Sequence, residues 1–137
     1  MRALMFAEMG VTSDRSDWRA SAGEWLMHAV DDPSVCLVVF EDNGTLVACG
    51  MAEIHRGAPG PTCPTGRTAH VSNLVTRRSA RGRGLASQCM THLLKWAAEH
   101  ADRVELHASD DGAAMYRRMG FEETANPAMR LALTAPE

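Results

Sequence analysis

The run Arg77-Arg78-Ser79-Ala80-Arg81-Gly82-Arg83-Gly84 holds four of the chain's 14 basic residues. Arginine beside glycine suits an anion. A guanidinium donates paired, charge-assisted hydrogen bonds to phosphate. Glycine has no Cβ, so an anion can come close to the backbone. The apolar run Val71 to Thr76 precedes these residues, and a helical pattern follows them. A helix start offers unpaired N–H groups and the positive end of a dipole, which together make a phosphate cradle. It is not a Walker A loop, because G-x-x-x-x-G-K-[ST] is missing. Gly82-Arg83-Gly84-Leu85-Ala86-Ser87 comes close to the dinucleotide fingerprint, with Glu105 about 20 residues further on. Against that reading, Arg77 to Arg81 separate the glycines from their strand, and the chain has a single strand–helix–strand unit.

Proton-transfer chemistry has separate candidates. Tyr116 stands just before Gly120-Phe121. A phenol of pKa ~10 stays protonated at neutral pH and can act as a proton donor. A tyrosine that merely packs a helix face is the plain alternative. Glu53, His55 and His70 lie on strand-like segments, with Asn73 as an orienting group. Strand alternation puts Glu53 and His55 on one face. Glu53 shares parity with Val47, Cys49 and Met51, where a buried carboxylate must be paired or carry a raised pKa. An edge-exposed glutamate fits the same pattern, and His70 also reads as a satisfied strand histidine. Cys36, Cys49, Cys63 and Cys89 form no C-x-x-C pair, and the six histidines form no H-E-x-x-H. Reduced, packing cysteines and no metal site are therefore expected.

These residues need elements to position them. Helical patterns cover residues 2–9 and 17–30, the second with Trp18, Ala22, Trp25, Leu26 and Ala29 on one face and Asp14 or Ser16 as cap. Val35 to Phe40 and Leu46 to Ile54 read as strands joined by an Asn43-Gly44 hairpin turn. Residues 57–66 are a Pro/Gly loop, either covering a pocket or simply connecting. A third strand runs from Thr68 to Thr76. A long helix follows from Gly82 to His100, with Leu85, Cys89, Leu93 and Trp96 or Ala97 as its buried stripe. Val104 to Ala108 is a fourth strand, parallel to the third. Asp110 or Asp111 starts a short helix that Gly120 ends. Terminal strands are expected from Phe121 and over Met129 to Leu133, around an Asn126-Pro127 turn.

A chain of 137 residues with 45% hydrophobic and 23% charged residues has room for one folded domain, 1–137. No apolar run reaches the roughly 18–20 residues of a membrane span, and no signal-peptide cleavage site follows the N-terminus. A cytoplasmic protein without membrane partners is expected. The net charge of −3 argues against nucleic acid as a partner and for a small anionic ligand at the basic turn.

The sequence resembles the GCN5-related N-acetyltransferase (GNAT) family. Arg81-Gly82-Arg83-Gly84-Leu85-Ala86 matches that family's R/Q-x-x-G-x-G/A acetyl-CoA signature, and Ala114 to Phe121 resembles its A-x-x-Y-x-x-x-G-F stretch. The resemblance covers residues 68–124 firmly and 35–56 more loosely. It implies an α/β fold: one domain with a mixed, largely antiparallel sheet flanked by helices. Amides from Gly82 through Leu85 to Ala86 would hold the pyrophosphate of acetyl-CoA. Arg81 and Arg83, with Arg77 or Arg78, would add charge. Leu74, Val75 and Thr76 would carry the pantetheine arm, and an N–H there would polarise the thioester carbonyl. Tyr116 would protonate the leaving thiolate. The family's proton sink is a carboxylate, a histidine or a water chain, for which Glu53 is the first candidate on this chain, with His55 and His70 as alternatives. Ser109 replaces the family's frequent asparagine seven positions before the tyrosine, still able to cap a helix and donate one hydrogen bond near the cofactor. The family usually opens with a strand before its first helix, whereas here a helical pattern begins near Met1. Either the fold lacks its first edge strand or the start lies upstream.

The activity implied is acetyl transfer from acetyl-CoA to a primary amine on a small molecule or peptide, by direct attack and without a covalent cysteine. A non-catalytic acyl-CoA-binding or regulatory module is the alternative. Homodimers are frequent in the family.

Overall fold

Alternation and turn chemistry account for most of the sheet. The computed structural model describes residues 17–133, and the expected helix 2–9, the caps Asp14 and Ser16 and the question of a first strand lie outside them. The chain divides between His107 and Ala108 into two compact units.

The first described element of the first unit is α1, Asp17–Ala29. Strands β1, Val35–Asp42, and β2, Thr45–Arg56, form an antiparallel hairpin. Its two-residue turn has φ of 49° at Asn43 and 79° at Gly44, the sign that matches the right-handed twist of the strands. Strand β3, Arg67–Thr76, pairs antiparallel with β2. Helix α2, Leu85–His100, then crosses to β4, Arg103–Leu106, which runs parallel to β3. The sheet order is β1-β2-β3-β4, so both expected halves are present: an antiparallel hairpin first, then one crossover.

The core lies between α2 and one face of the sheet. Leu85, Cys89, Leu93 and Ala97 recur at four-residue steps along α2 and are all buried. Val47, Ala48, Val38, Phe40 and Leu74 meet the start of that stripe. Each fully buried leucine-sized side chain contributes about 1.5–3 kcal/mol. Gly50 lets the helix come close, because a Cβ there would lie 3.0 Å from both Leu74 Cδ1 and Leu93 Cδ1. The opposite parity on the sheet (Leu37, Val39, Cys49, Met51, Glu53) faces away from α2 and lines a cavity together with α1.

The β2–β3 ladder contains an irregularity. Cys49 pairs with Val75 and Met51 with Ser72, so Gly50 alone opposes Asn73-Leu74. Asn73 takes φ 54°, a conformation that asparagine tolerates better than most residues. This is a β-bulge, which leaves one residue outside the regular ladder and re-aims the strand.

Loop 57–66 is held at several points. Gly57 N donates to Gly66 O at 2.7 Å, and Gly60 and Cys63 form a small bridge. Asp102 accepts from both the amide and the hydroxyl of Thr65 at 2.7 Å.

The second unit holds α3, Asp110–Arg118. Ser109 caps it, with Oγ accepting from Gly112 N at 3.2 Å. Its other end is a Schellman motif: Phe121 N donates to Tyr116 O and Gly120 N to Arg117 O, with Gly120 at φ 98°. The Tyr116 and Phe121 rings meet edge to face at 5.8 Å, the apolar contact that accompanies this cap. The terminal strands expected beyond Phe121 do not form among the described residues. Met129, Leu131 and Leu133 alternate as a strand would, yet they are exposed, and alternation without a ladder partner makes no strand. Among the described residues no helix is long and apolar enough to cross a membrane.

Candidate active site

The glycine turn builds a small cavity of about 200 Å³, lined by Thr76, Arg81, Gly82, Gly84, Leu85 and Ser87 among others. The backbone is left-handed at Gly82 (φ 79°) and Gly84 (φ 74°). A Cβ at either would touch nothing within 4 Å, so the backbone angle, not crowding, calls for glycine. Gly84 is the N-cap of α2 and supplies no side-chain acceptor. The amides that open a helix of 16 residues therefore have no cap side chain at the cavity's edge. Thr76 also lines the cavity, and its Oγ1 is buried with no hydrogen-bond partner among the described residues.

The arginines separate. Arg81 lines the cavity, and its Nε donates to Thr76 O at 3.3 Å. Arg83 leans away and pairs with Asp42 on β1 at 3.2 Å. Arg77 ties the strand ends together, its Nε donating to Leu46 O and its amide to Val47 O, both at 2.7 Å. Sequence spacing grouped these residues, but a bend beginning with a short 3-10 turn, Arg78–Ala80, turns them to different sides.

Next along β3 is the bulge. Leu74 packs into the α2 core, and Val75 is 8% exposed. Their side chains are thus committed, which leaves backbone for any ligand along this stretch. Cys49 Sγ donates to Asn73 O at 3.3 Å across the bulge.

On the other sheet face lies a cavity of about 920 Å³. Glu53 and His70 are direct cross-strand partners and both line it. The His70 ring stacks on His55 at 5.1 Å and meets His107 edge-on at 5.6 Å. His55 Nε2 lies 3.8 Å from Glu53 Oε2. Burial pushes the His70 pKa down, with His55 and His107 adding to that and Glu53 and Glu105 opposing it. Glu53, His55 and His70 thus gather as alternation implied, and Asn73 lines the same cavity. His107 belongs to this cluster too. Its signal was parity: Glu105 pairs with His70, so His107, two residues on, shares that face. Loop 57–66 contributes no residue to this lining. Among the described residues no group of His, Cys, Asp and Glu is arranged to hold a metal ion.

A family model described as the Acetyltransferase (GNAT) family matches residues 3–121. The chain belongs to the GNAT family. Solved structures agree on the fold. A predicted acetyltransferase with acetyl-CoA from Clostridium acetobutylicum is similar at TM-score 0.85 and 22% identity, over 96% of this chain and 85% of that one. A GCN5-related N-acetyltransferase from Ralstonia eutropha is similar at TM-score 0.73 and 26% identity, over 93% and 86%. Glucosamine-6-phosphate N-acetyltransferase from Arabidopsis thaliana gives TM-score 0.71 at 16% identity, over 92% and 85%. A comparison with curated proteins finds no match.

GNAT membership carries acyl transfer as the general activity. The remaining expected GNAT positions lie in the second unit. Tyr116 is half-buried, and burial pushes its pKa above the usual phenol value. Its ring lies over Gly112, whose Cβ would come 3.0 Å from Tyr116 Cε2. Ser109 spends its oxygen on the α3 cap, the role that serine allows in place of asparagine. The cysteines are all free, and burial pushes the Cys89 thiol up to about 11.

Proposed function

We propose that this chain transfers the acetyl group of acetyl-CoA to a primary amine, by direct attack of the amine in a ternary complex. The observation that carries this reading is the cradle at the start of α2: left-handed Gly82 and Gly84, a helix start without a side-chain cap, and the unpartnered Thr76 hydroxyl in one small cavity. These features fit a pyrophosphate, which offers many acceptor oxygens and needs donors. The amides from Gly82 to Ala86 hold it, with Arg81 adding charge and Thr76 a hydroxyl donor. Arg83 contributes from further away, since its guanidinium is shared with Asp42. The backbone of Leu74 and Val75 at the bulge pairs with the pantetheine amides in the manner of an added strand.

Acetyl-CoA supplies an activated thioester, and the residues supply proton handling. The amine must lose its proton before it attacks. Glu53 is the proposed base, with His70 beside it as a neutral imidazole able to take the proton onward. As the C–N bond forms and the C–S bond breaks, the thiolate needs a proton, and Tyr116 is the proposed donor. Its raised pKa keeps it protonated through neutral pH. A cysteine acyl-enzyme is disfavoured, because Cys89 is fully buried with a thiol pKa of about 11.

Titration calorimetry with acetyl-CoA, and NAD as control, tests the cradle. Thiol release with a panel of amines tests the transfer. Saturable binding of acetyl-CoA alone, followed by amine-dependent thiol release, is the expected result. Binding without release from any amine would make the chain an acyl-CoA-binding module.

A further inference from the structure

The apolar stripe of α1 does not behave as a core stripe. Trp25 is 42% and Leu26 37% exposed, and on the facing strand Val39 is 56% exposed. These side chains, with Trp18, wall the cavity of about 920 Å³ rather than closing on one another. Small-molecule sites commonly enclose about 300–1,000 Å³ behind mostly apolar walls, with a few polar groups fixing orientation. The polar lining groups are Glu53, His70, Ser72, Asn73 and His107 on the sheet side and Ser21 on α1. No lysine or arginine stands among the described lining residues.

We infer that the acceptor is a small primary amine carried on an apolar, ring-bearing body, with no phosphate or carboxylate of its own. The inference rests on the acetyl-transfer reading above and names the substrate class for that site. An ammonium is complementary to the Glu53 carboxylate and to the ring face of Trp25, while the Trp18 ring already carries the Arg19 guanidinium at 5.6 Å. His70, kept neutral by burial, does not repel it. A ring fills the space between the α1 tryptophans and the apolar residues of β1. A phosphate or carboxylate would lose its water beside Glu53 with no cation among the described lining residues to replace it. The phosphorylated amine that names the Arabidopsis neighbour is therefore the wrong class for this cavity.

Tryptophan fluorescence tests this without relying on turnover. In a Trp96→Phe background only Trp18 and Trp25 report. Phenethylamine should quench saturably, while glucosamine 6-phosphate and glutamate should not. Trp25→Ala should weaken phenethylamine binding by about tenfold with acetyl-CoA affinity unchanged. Val39→Lys, at an exposed position that tolerates substitution, should weaken it as well by placing a like charge in the cavity. Thiol release should follow the same order of amines. Equal or better binding and turnover of glutamate or glucosamine 6-phosphate would overturn the inference while leaving acetyl transfer intact. Quenching by phenethylamine with no thiol release from any amine would support the cavity's chemistry and remove the acetyl-transfer reading. A dimer that Trp25→Ala dissolves would show that a second copy covers this face, and would overturn the inference.

Discussion

Glu53 and His70 face each other across the β2–β3 ladder, with the His55 ring stacked on His70 and His107 meeting His70 edge-on from just beyond β4. A carboxylate beside three imidazoles makes this corner sensitive to pH. The folded protein disfavours the His70 imidazolium, chiefly by burial, then through His55 and His107, against Glu53 and Glu105. Its folded pKa lies below the unfolded value of about 6.5, so the unfolded chain binds more protons in the window between them. Stability should therefore be full above that window and fall as pH drops through 6.5 towards the depressed folded value. Urea midpoints at neutral pH and at pH about 5.5 should show the loss, and His70→Asn should flatten it. An unchanged slope in the variant would place the titration elsewhere.

Tyr116→Phe separates chemistry from architecture. The ring that meets Phe121 across the Schellman cap remains, so the melting temperature should hold. The proposed proton donor is lost, so acetyl-transfer turnover should fall by about 10²-fold or more, the usual worth of a general acid. Acetyl-CoA affinity measured by calorimetry should not move. Unchanged turnover would remove Tyr116 from the mechanism.

Thr76→Val should act in opposite directions on stability and binding. Its hydroxyl is buried and unpartnered, so near-isosteric removal should be neutral or slightly stabilising in the free protein. Acetyl-CoA affinity should drop about tenfold, the worth of a hydrogen bond to a charged group. Chemical denaturation with and without acetyl-CoA reads both quantities. Loss of stability without loss of affinity would count against a ligand-facing hydroxyl.

Gly66→Ala should be severely destabilising although it lies far from both cavities. Gly66 holds φ 72°, and an added Cβ would meet the Gly57 carbonyl oxygen at 2.1 Å. The left-handed angle and the clash together should cost about 2–4 kcal/mol, read as a lower urea midpoint. A midpoint near that of the parent chain would mean the 57–66 loop can be rebuilt freely.

The legible parts of this molecule were those in which one residue type does one local thing. The Asn43-Gly44 turn, the four-residue stripe from Leu85 to Ala97 and the Ser109 and Gly120 ends of α3 follow from local geometry. The cradle was legible as a motif, but not the parting of Arg81 from Arg83, which depends on Asp42 reaching across from β1. The bulge was hidden, because no residue type announces that Asn73 and Leu74 share one partner. Trp18 and Trp25 were expected on one apolar face of α1, but Trp25 is 42% exposed, since periodicity tells which side chains share a face and not whether that face is filled. The strand expected over Met129 to Leu133 failed for a related reason: a pattern names a surface, and only a partner turns it into a ladder.

Gly50 gives the site a vertical dimension. The helix whose first turn is proposed to hold the pyrophosphate also rests, further along, on the strand stretch around the bulge, where Leu93 and Leu74 meet Gly50. The missing side chain at that crossing works like a gauge block of zero thickness. Any larger residue there becomes a shim that tilts α2 against β3 and alters the spacing between the two ends of the groove. Such a change would be felt as a misfit of the ligand's length by a residue that never needs to touch it.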